Sequence, residues 1–137
     1  MKLSRKKIML LAVTFLFLVG LIPGAVYIKN VADYKRTIKE TTFDGINIAD
    51  VSDGVYIGEY NVNFIYAKVE VTVQNGEITD INILEHKQER GKSAETIITK
   101  IIDEQKIDVD AISGATNSST VIKKAVENAL KGEKVKY

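Results

Sequence analysis

Lys68-Val69-Glu70-Val71-Thr72-Val73-Gln74-Asn75-Gly76-Glu77-Ile78-Thr79-Asp80-Ile81-Asn82-Ile83 contains the pattern that decides the fold. Val69, Val71 and Val73 alternate with Lys68, Glu70 and Thr72, the mark of a strand buried on one face. Asn75-Gly76 then supplies a two-residue hairpin turn. Direct pairing sets Val73 opposite Ile78, but continues by placing Asp80 opposite Val71 and Asn82 opposite Val69. One extra residue near Thr79-Asp80, a β-bulge, instead brings Ile81 and Ile83 onto the valine face, so the sequence predicts a bulge there.

Upstream, Tyr56, Gly58, Tyr60 and Val62 share one face of a predicted strand over residues 54–62. The missing side chain at Gly58 leaves a gap that another group can approach, or marks a bulge or a packing fit. Downstream, Leu84-Glu85-His86-Lys87 leaves the sheet for a polar loop of Gln88, Glu89, Arg90, Gly91 and Lys92. Ala94, Ile97, Ile98, Ile101 and Ile102 follow at helical spacing, with Ser93 as the expected cap. A second helical stripe comprises Ile122, Ala125, Val126, Ala129 and Leu130, with Lys123–Glu127 and Glu127–Lys131 as i,i+4 pairs and Gly132 as its stop. The pattern predicts an α+β fold: a small antiparallel sheet covered by two helices.

Between those helices lies Asp110-Ala111-Ile112-Ser113-Gly114-Ala115-Thr116, followed by Asn117-Ser118-Ser119. Gly114 and Ala115 leave little side-chain bulk, so a ligand can approach the backbone. Free N–H groups at the start of the next helix favour an anion such as phosphate. Hydroxyls at Ser113, Thr116, Ser118, Ser119 and Thr120 are able to solvate that phosphate, or one of them to be esterified to it. Spacing does not choose between these roles. On composition alone, a turn followed by a helix cap is the favoured reading.

The heptad resembles the flavinylation signature, Asp-x-x-Ser/Thr-Gly-Ala-Thr, of the FMN-binding domain family. That family includes domains of the sodium-pumping NADH:quinone reductase and Rnf-type complexes, together with many small extracytoplasmic flavoproteins. The likeness extends through Asp53-Gly54-Val55-Tyr56-Ile57-Gly58, Val71 to Asp80 and Leu84-Glu85-His86, and ends near Ala129-Leu130. The resemblance implies that FMN is joined through its phosphate to Thr116 by a magnesium-dependent flavin transferase. It also implies that Asp110, Gly114 and Ala115 belong to the sequence the transferase reads, while Ser113 fills the Ser/Thr position. Gly58 is a candidate for facing the flavin ring. His86 is a candidate contact for the flavin or a redox partner, although an exposed loop residue is the favoured plain reading. The family often carries a glycine-rich run after this His, whereas here only Gly91 precedes Lys92.

Composition narrows the chemistry. The 137 residues contain no Cys and one His, which exclude disulfides, thiolate metal sites and iron–sulfur clusters and argue against zinc. Redox work would therefore need an organic cofactor. Residues 30–137 hold 14 of the 19 basic and all 18 acidic side chains, a net charge of −4 that gives no reason to expect nucleic acid.

Ile8 to Ile28 is uncharged. Its 21 residues make about 31 Å of helix, against a hydrocarbon core of about 30 Å. Lys2, Arg5, Lys6 and Lys7 precede it, so the positive-inside rule places the amino terminus in the cytoplasm and the remainder outside. A retained anchor is preferred to a cleaved signal peptide, because Ile22 and Pro23 stand where a cleavage site wants small residues.

The expected organisation is an anchor over residues 1–29, a tether over 30–52, an FMN-binding domain over 53–131 and a polar tail over 132–137. Val31, Tyr34 and Ile38 suggest a short helical continuation of the anchor, and Ile46, Ile48 and Val51 a first pairing or packing segment. No acid–base pair, nucleophile triad or substrate motif is visible, so the chain reads as a membrane-tethered electron carrier between a membrane donor and an extracytoplasmic acceptor. The alternatives are a flavin-dependent reductase with its own small substrate, and a non-redox binding module.

Overall fold

The computed structural model describes residues 2–88 and 91–132. Its elements are helix α1 (Arg5–Glu40), strands β1 (Gly54–Asn61), β2 (Tyr66–Gln74) and β3 (Glu77–Lys87), and helices α2 (Ile97–Glu104) and α3 (Thr116–Lys131). Short 3-10 turns cover Ile48–Asp50 and Lys92–Thr96. Glu89 and Arg90 of the predicted loop, and residues 133–137 of the predicted polar tail, lie outside the described residues. Residues 1–33 and 34–137 form two compact units.

In the first unit, α1 is exposed from Arg5 to Lys29, and its most apolar stretch has a mean hydropathy of 2.5. By length and composition it is able to cross a membrane. The helix does not stop at Ile28: it continues through Tyr34 to Glu40, and in the second unit Ile38 is buried in the core.

The second unit is an α+β fold built on the order β1-β2-β3, antiparallel throughout. Asn75 and Gly76 both have positive φ, 52° and 75°, as a type I′ hairpin turn requires. Val73 pairs with Ile78, but Thr72 pairs with Asp80, leaving Thr79 as the extra residue. Val71 and Val69 consequently face Ile81 and Ile83, which is the bulge the hydrophobic pattern calls for.

A second bulge was not foreseen. Val69 pairs with Ile83 and Lys68 with Glu85, so Leu84 is extruded and stands 49% exposed. The slip turns His86, rather than Glu85, onto the inner face opposite Ala67.

Rows Gly54–Val73–Ile78, Tyr56–Val71–Ile81 and Gly58–Val69–Ile83 make that inner face, against which α3 packs through Val121, Ile122, Ala125, Val126 and Ala129. α2 covers β3 with Ile97 and Ile101. Gly58 explains the close approach of α3: a Cβ there would lie 2.2 Å from Ala129 N and 2.3 Å from Ala125 O. The reading of Gly58 as a gap facing the flavin ring is therefore corrected, because helix backbone occupies the space.

Three local expectations also change. Ser93 is not a helix cap: it lies inside the 3-10 turn, where its C=O accepts a hydrogen bond from Thr96 Oγ1 at 2.8 Å. Ile48 and Val51 pack without joining the sheet, because Asn47 caps a 3-10 turn by accepting from Ala49 N–H on Oδ1 at 3.3 Å. Lys123 does not pair with Glu127, since its Nζ donates instead to Asp108 Oδ1 and Val109 O, each at 2.8 Å.

Candidate functional site

The chain enters α3 through a tight turn. Ala115 N–H donates to Ile112 C=O at 3.0 Å, and Gly114 takes φ +78°, a conformation that any residue with a β-carbon adopts only with strain. The space over Gly114 is open, since an added Cβ would meet nothing within 4 Å. Fully buried Ser119 pins the turn by accepting Ile112 N–H on Oγ at 3.0 Å. That hydroxyl is thus committed to the protein itself and is withdrawn from any ligand.

Ala115, with no side-chain acceptor, occupies the cap position of α3, so the plain reading of a Ser, Thr or Asn cap does not hold. Thr116 is the first helical residue. Its side chain is exposed and, among the described residues, its hydroxyl makes no hydrogen bond. The N–H groups of Thr116, Asn117 and Ser118 lie in the first turn, where a helix offers no internal acceptor. An exposed hydroxyl therefore stands in the same first turn as three amides without an acceptor among the described residues, at the positive end of a 16-residue helix.

A cavity of about 390 Å3 opens at this turn. Gly114, Ala115, Thr116, Asn117 and Ser118 form part of its lining, and Gly91, Ile65 and Tyr34 contribute the rest. Gly91 is pressed against α3, where an added Cβ would fall 1.9 Å from Ser118 Oγ. Tyr34 is held edge-to-face by Phe64, with ring centroids 5.2 Å apart and planes at 67°.

The fold thus brings Thr116, Gly114 and Ala115 to one cavity. It does not bring Asp110, Ser113, Gly58 or His86 into that lining. Asp110 is exposed and its backbone C=O accepts from Lys100 Nζ at 3.1 Å, while Ser113 is exposed.

His86 is not a loop residue. It lies within β3, its side chain is 2% exposed, and Nδ1 is 3.0 Å from Glu95 Oε1. Nε2 is buried and has no hydrogen-bond partner among the described residues. Sequence reasoning missed Tyr34, Ile65 and Gly91 as cavity residues. The one available signal was the helical spacing of Tyr34 with Val31 and Ile38.

The other end of α3 carries a charge cluster. Glu127, 1% exposed, accepts Asp44 N–H at 3.0 Å, Lys124 Nζ at 2.7 Å and Lys131 Nζ at 3.1 Å. Lys131 also donates to Asp44. Burial pushes the Glu127 carboxyl upward, but the hydrogen bonds from Lys124, Lys131 and the Asp44 amide outweigh it and hold the group below its ordinary range. The Lys131 hydrogen bond likewise lowers Asp44, and Asp44 and Glu127 together raise Lys131. Lys123 and Lys124 lie over the Phe43 ring at 4.8 and 5.6 Å, so the cluster clasps residues 42–44 onto α3. A second cavity, of about 340 Å3, lies beside this clasp and shares no residue with the Thr116 turn.

Residues 66–131 match the family model of the FMN-binding domain. This segment is an FMN-binding domain. The match runs from the first residue of β2 to the last of α3 and contains the whole heptad from Asp110 to Thr116. No curated protein matches the chain. FMN is the cofactor of such a domain. The residues of the turn suit its phosphate end: an open glycine, and a first helical turn whose amides and Thr116 hydroxyl have no partner among the described residues, line a cavity of ligand size.

Proposed function

We propose that this chain is a membrane-tethered, extracytoplasmic electron-transfer flavoprotein whose FMN is esterified through its phosphate to Thr116. The observation that carries the reading is that Thr116, last residue of the heptad, has an exposed hydroxyl, without a partner among the described residues, at the amino end of α3 beside a cavity of about 390 Å3. Attachment exchanges a phosphoanhydride bond in the flavin donor for a phosphoester on the protein. The Thr116 Oγ–P bond forms as the bond from phosphorus to the leaving group of an activated FMN donor breaks, and the leaving oxygen takes up the hydroxyl proton. A magnesium-dependent flavin transferase catalyses that exchange.

When bound, FMN supplies reversible acceptance and release of electrons. The chain supplies position: Ser119 fixes the turn, Gly114 keeps its outer side open, and the first-turn amides face the anion. A covalent link suits a domain working outside the cytoplasm, where a dissociated flavin is lost to the medium. The apolar part of α1 serves as the single membrane span, with the basic residues before it on the cytoplasmic side. The working domain covers residues 53–131 rather than the matched span alone, since β1 pairs along its whole length with β2 and seats α3 at Gly58. Of the expected tether over residues 30–52, Tyr34 onward belongs to the second compact unit, with Ile38 and Ile48 in its core, and residues 132–137 are the tail. A membrane-bound donor and an extracytoplasmic acceptor are its redox partners.

The test is intact-mass analysis of the chain produced with and without a flavin transferase. The expected result is a gain of one FMN less one water only with the transferase, absent in Thr116→Ala. A yellow band retained by Thr116→Ala after denaturation would place the ester elsewhere.

A further inference from the structure

The lining of the Thr116 cavity is divided by chemistry. The turn residues and Gly91 are small or polar and match a phosphate and a hydroxylated chain. They offer nothing flat or apolar to a three-ring heterocycle. Among the described residues, the remaining lining side chains are Tyr34 and Ile65. Ile65 is 5% exposed. Among the described residues of the lining, Tyr34 alone is aromatic; it is half-buried, and the edge-to-face contact with Phe64 orders its ring before any ligand arrives. Its position is 82 residues before Thr116, in the part of α1 that lies beyond the uncharged segment and outside the span matched to the family.

We propose that Tyr34 is the platform on which the isoalloxazine ring of the Thr116-linked FMN packs, so that the helix continuing the anchor completes the flavin site. The inference rests on the reading of Thr116 as the attachment point. A preordered aromatic surface loses little side-chain entropy on ring packing, and offset stacking of flat rings adds to the area buried. FMN fixed at one end through its phosphate has a short radius of search for such a partner. Ile65 closes the apolar side, and Phe64 acts as the residue that positions Tyr34.

The experiment uses the full chain in detergent, produced with the transferase, and reads flavin emission before and after unfolding in SDS. A phenol stacked on the ring passes an electron to the photoexcited flavin and takes it back, which consumes nothing and quenches emission. The wild type is expected to be several-fold dimmer folded than unfolded. Tyr34→Phe keeps a flat ring that packs on Phe64 but removes the electron donor, so folded emission should rise several-fold while the visible circular dichroism of the flavin persists. Tyr34→Ala should raise emission and also remove that dichroism. Tyr60→Phe, which changes a tyrosine outside the cavity, should leave both signals at wild-type values. Equal SDS-stable flavin in all four proteins shows that attachment is untouched. Folded emission of Tyr34→Phe equal to that of wild type, at equal loading, overturns the role of Tyr34. A wild type without SDS-stable flavin overturns the attachment reading, and the platform with it.

Discussion

The side-chain amide of Gln105 holds both backbone polar groups of Ile78: Oε1 accepts the Ile78 N–H and Nε2 donates to the Ile78 C=O, each at 2.8 Å. Gln105 terminates α2 in the left-handed region, with φ 49°, and Nε2 also donates to Ile102 C=O at 2.8 Å. One side chain therefore stands in for a neighbouring strand at the open edge of β3, beside the Thr79 bulge, and ties α2 to the sheet. Gln105→Ala should destabilise the fold by about 1–3 kcal/mol, because two partly buried backbone groups lose their partner. Urea unfolding followed by circular dichroism measures this. A shift in midpoint equivalent to less than about 0.5 kcal/mol would mean that water replaces the amide without loss.

Gly58 makes a stronger demand. The atoms that a Cβ would strike belong to the α3 backbone, and these cannot rotate away as a side chain does. Gly58→Ala should cost about 3 kcal/mol or more, the upper end for overpacking. Since α3 carries Thr116 at its other end, displacement of the helix should also lower flavin loading by the transferase. Thermal unfolding and in-gel flavin fluorescence provide the two readouts, and an unshifted Tm would contradict the contact.

The clasp at the carboxyl end of α3 has a definite pH signature. Asp44 and Glu127 have folded-state values below their ordinary 3.8 and 4.5, so their stabilisation is complete above those values and is lost as pH falls through the lower folded ones. Lys131 is raised above 10.5, so its contribution is complete below that value and fades only as pH rises through the folded one. Stability from the clasp should therefore be flat near neutrality and fall in acid below about pH 4. Glu127→Gln should lower stability at pH 7 by about 1–3 kcal/mol and flatten the acid limb. Urea midpoints across pH 3–8 check this, and parallel wild-type and variant curves would contradict it.

Much of this architecture is legible in the chain because hydrophobic contrast specifies it. The Thr79 bulge follows from the need to keep Ile81 and Ile83 with Val71 and Val69, and the core face of α3 follows from Ile122, Ala125, Val126 and Ala129. At Leu84 the contrast fails: either Glu85 or His86 could turn inward, so nothing local announces the slip that buries His86. Gly58 announces a missing side chain but not its visitor. Lys123 sits at the spacing for a Glu127 pair, yet the tertiary fold offers it Asp108 and Val109 O instead. The same limit hid Tyr34, because its place beside residues 114–118 depends on long-range packing that no periodicity encodes.

Gly114 separates the needs of the fold from those of the ligand. Its φ of +78° penalises any residue with a β-carbon, while the space above it is empty, so a methyl group meets strain but no protein atom. Gly114→Ala should therefore cost only about 1–2 kcal/mol and leave the native fold intact. On the proposed attachment at Thr116, flavin content should nevertheless fall several-fold, because the methyl projects into the space assigned to the phosphate. Gly91→Ala is the contrasting case: its methyl would strike Ser118, a side chain at the base of the same turn, so stability and loading should fall together. The comparison is made by measuring urea midpoints and SDS-stable flavin on the same preparations. Full loading of a folded Gly114→Ala protein would show that the open side of the turn is not the face from which FMN arrives.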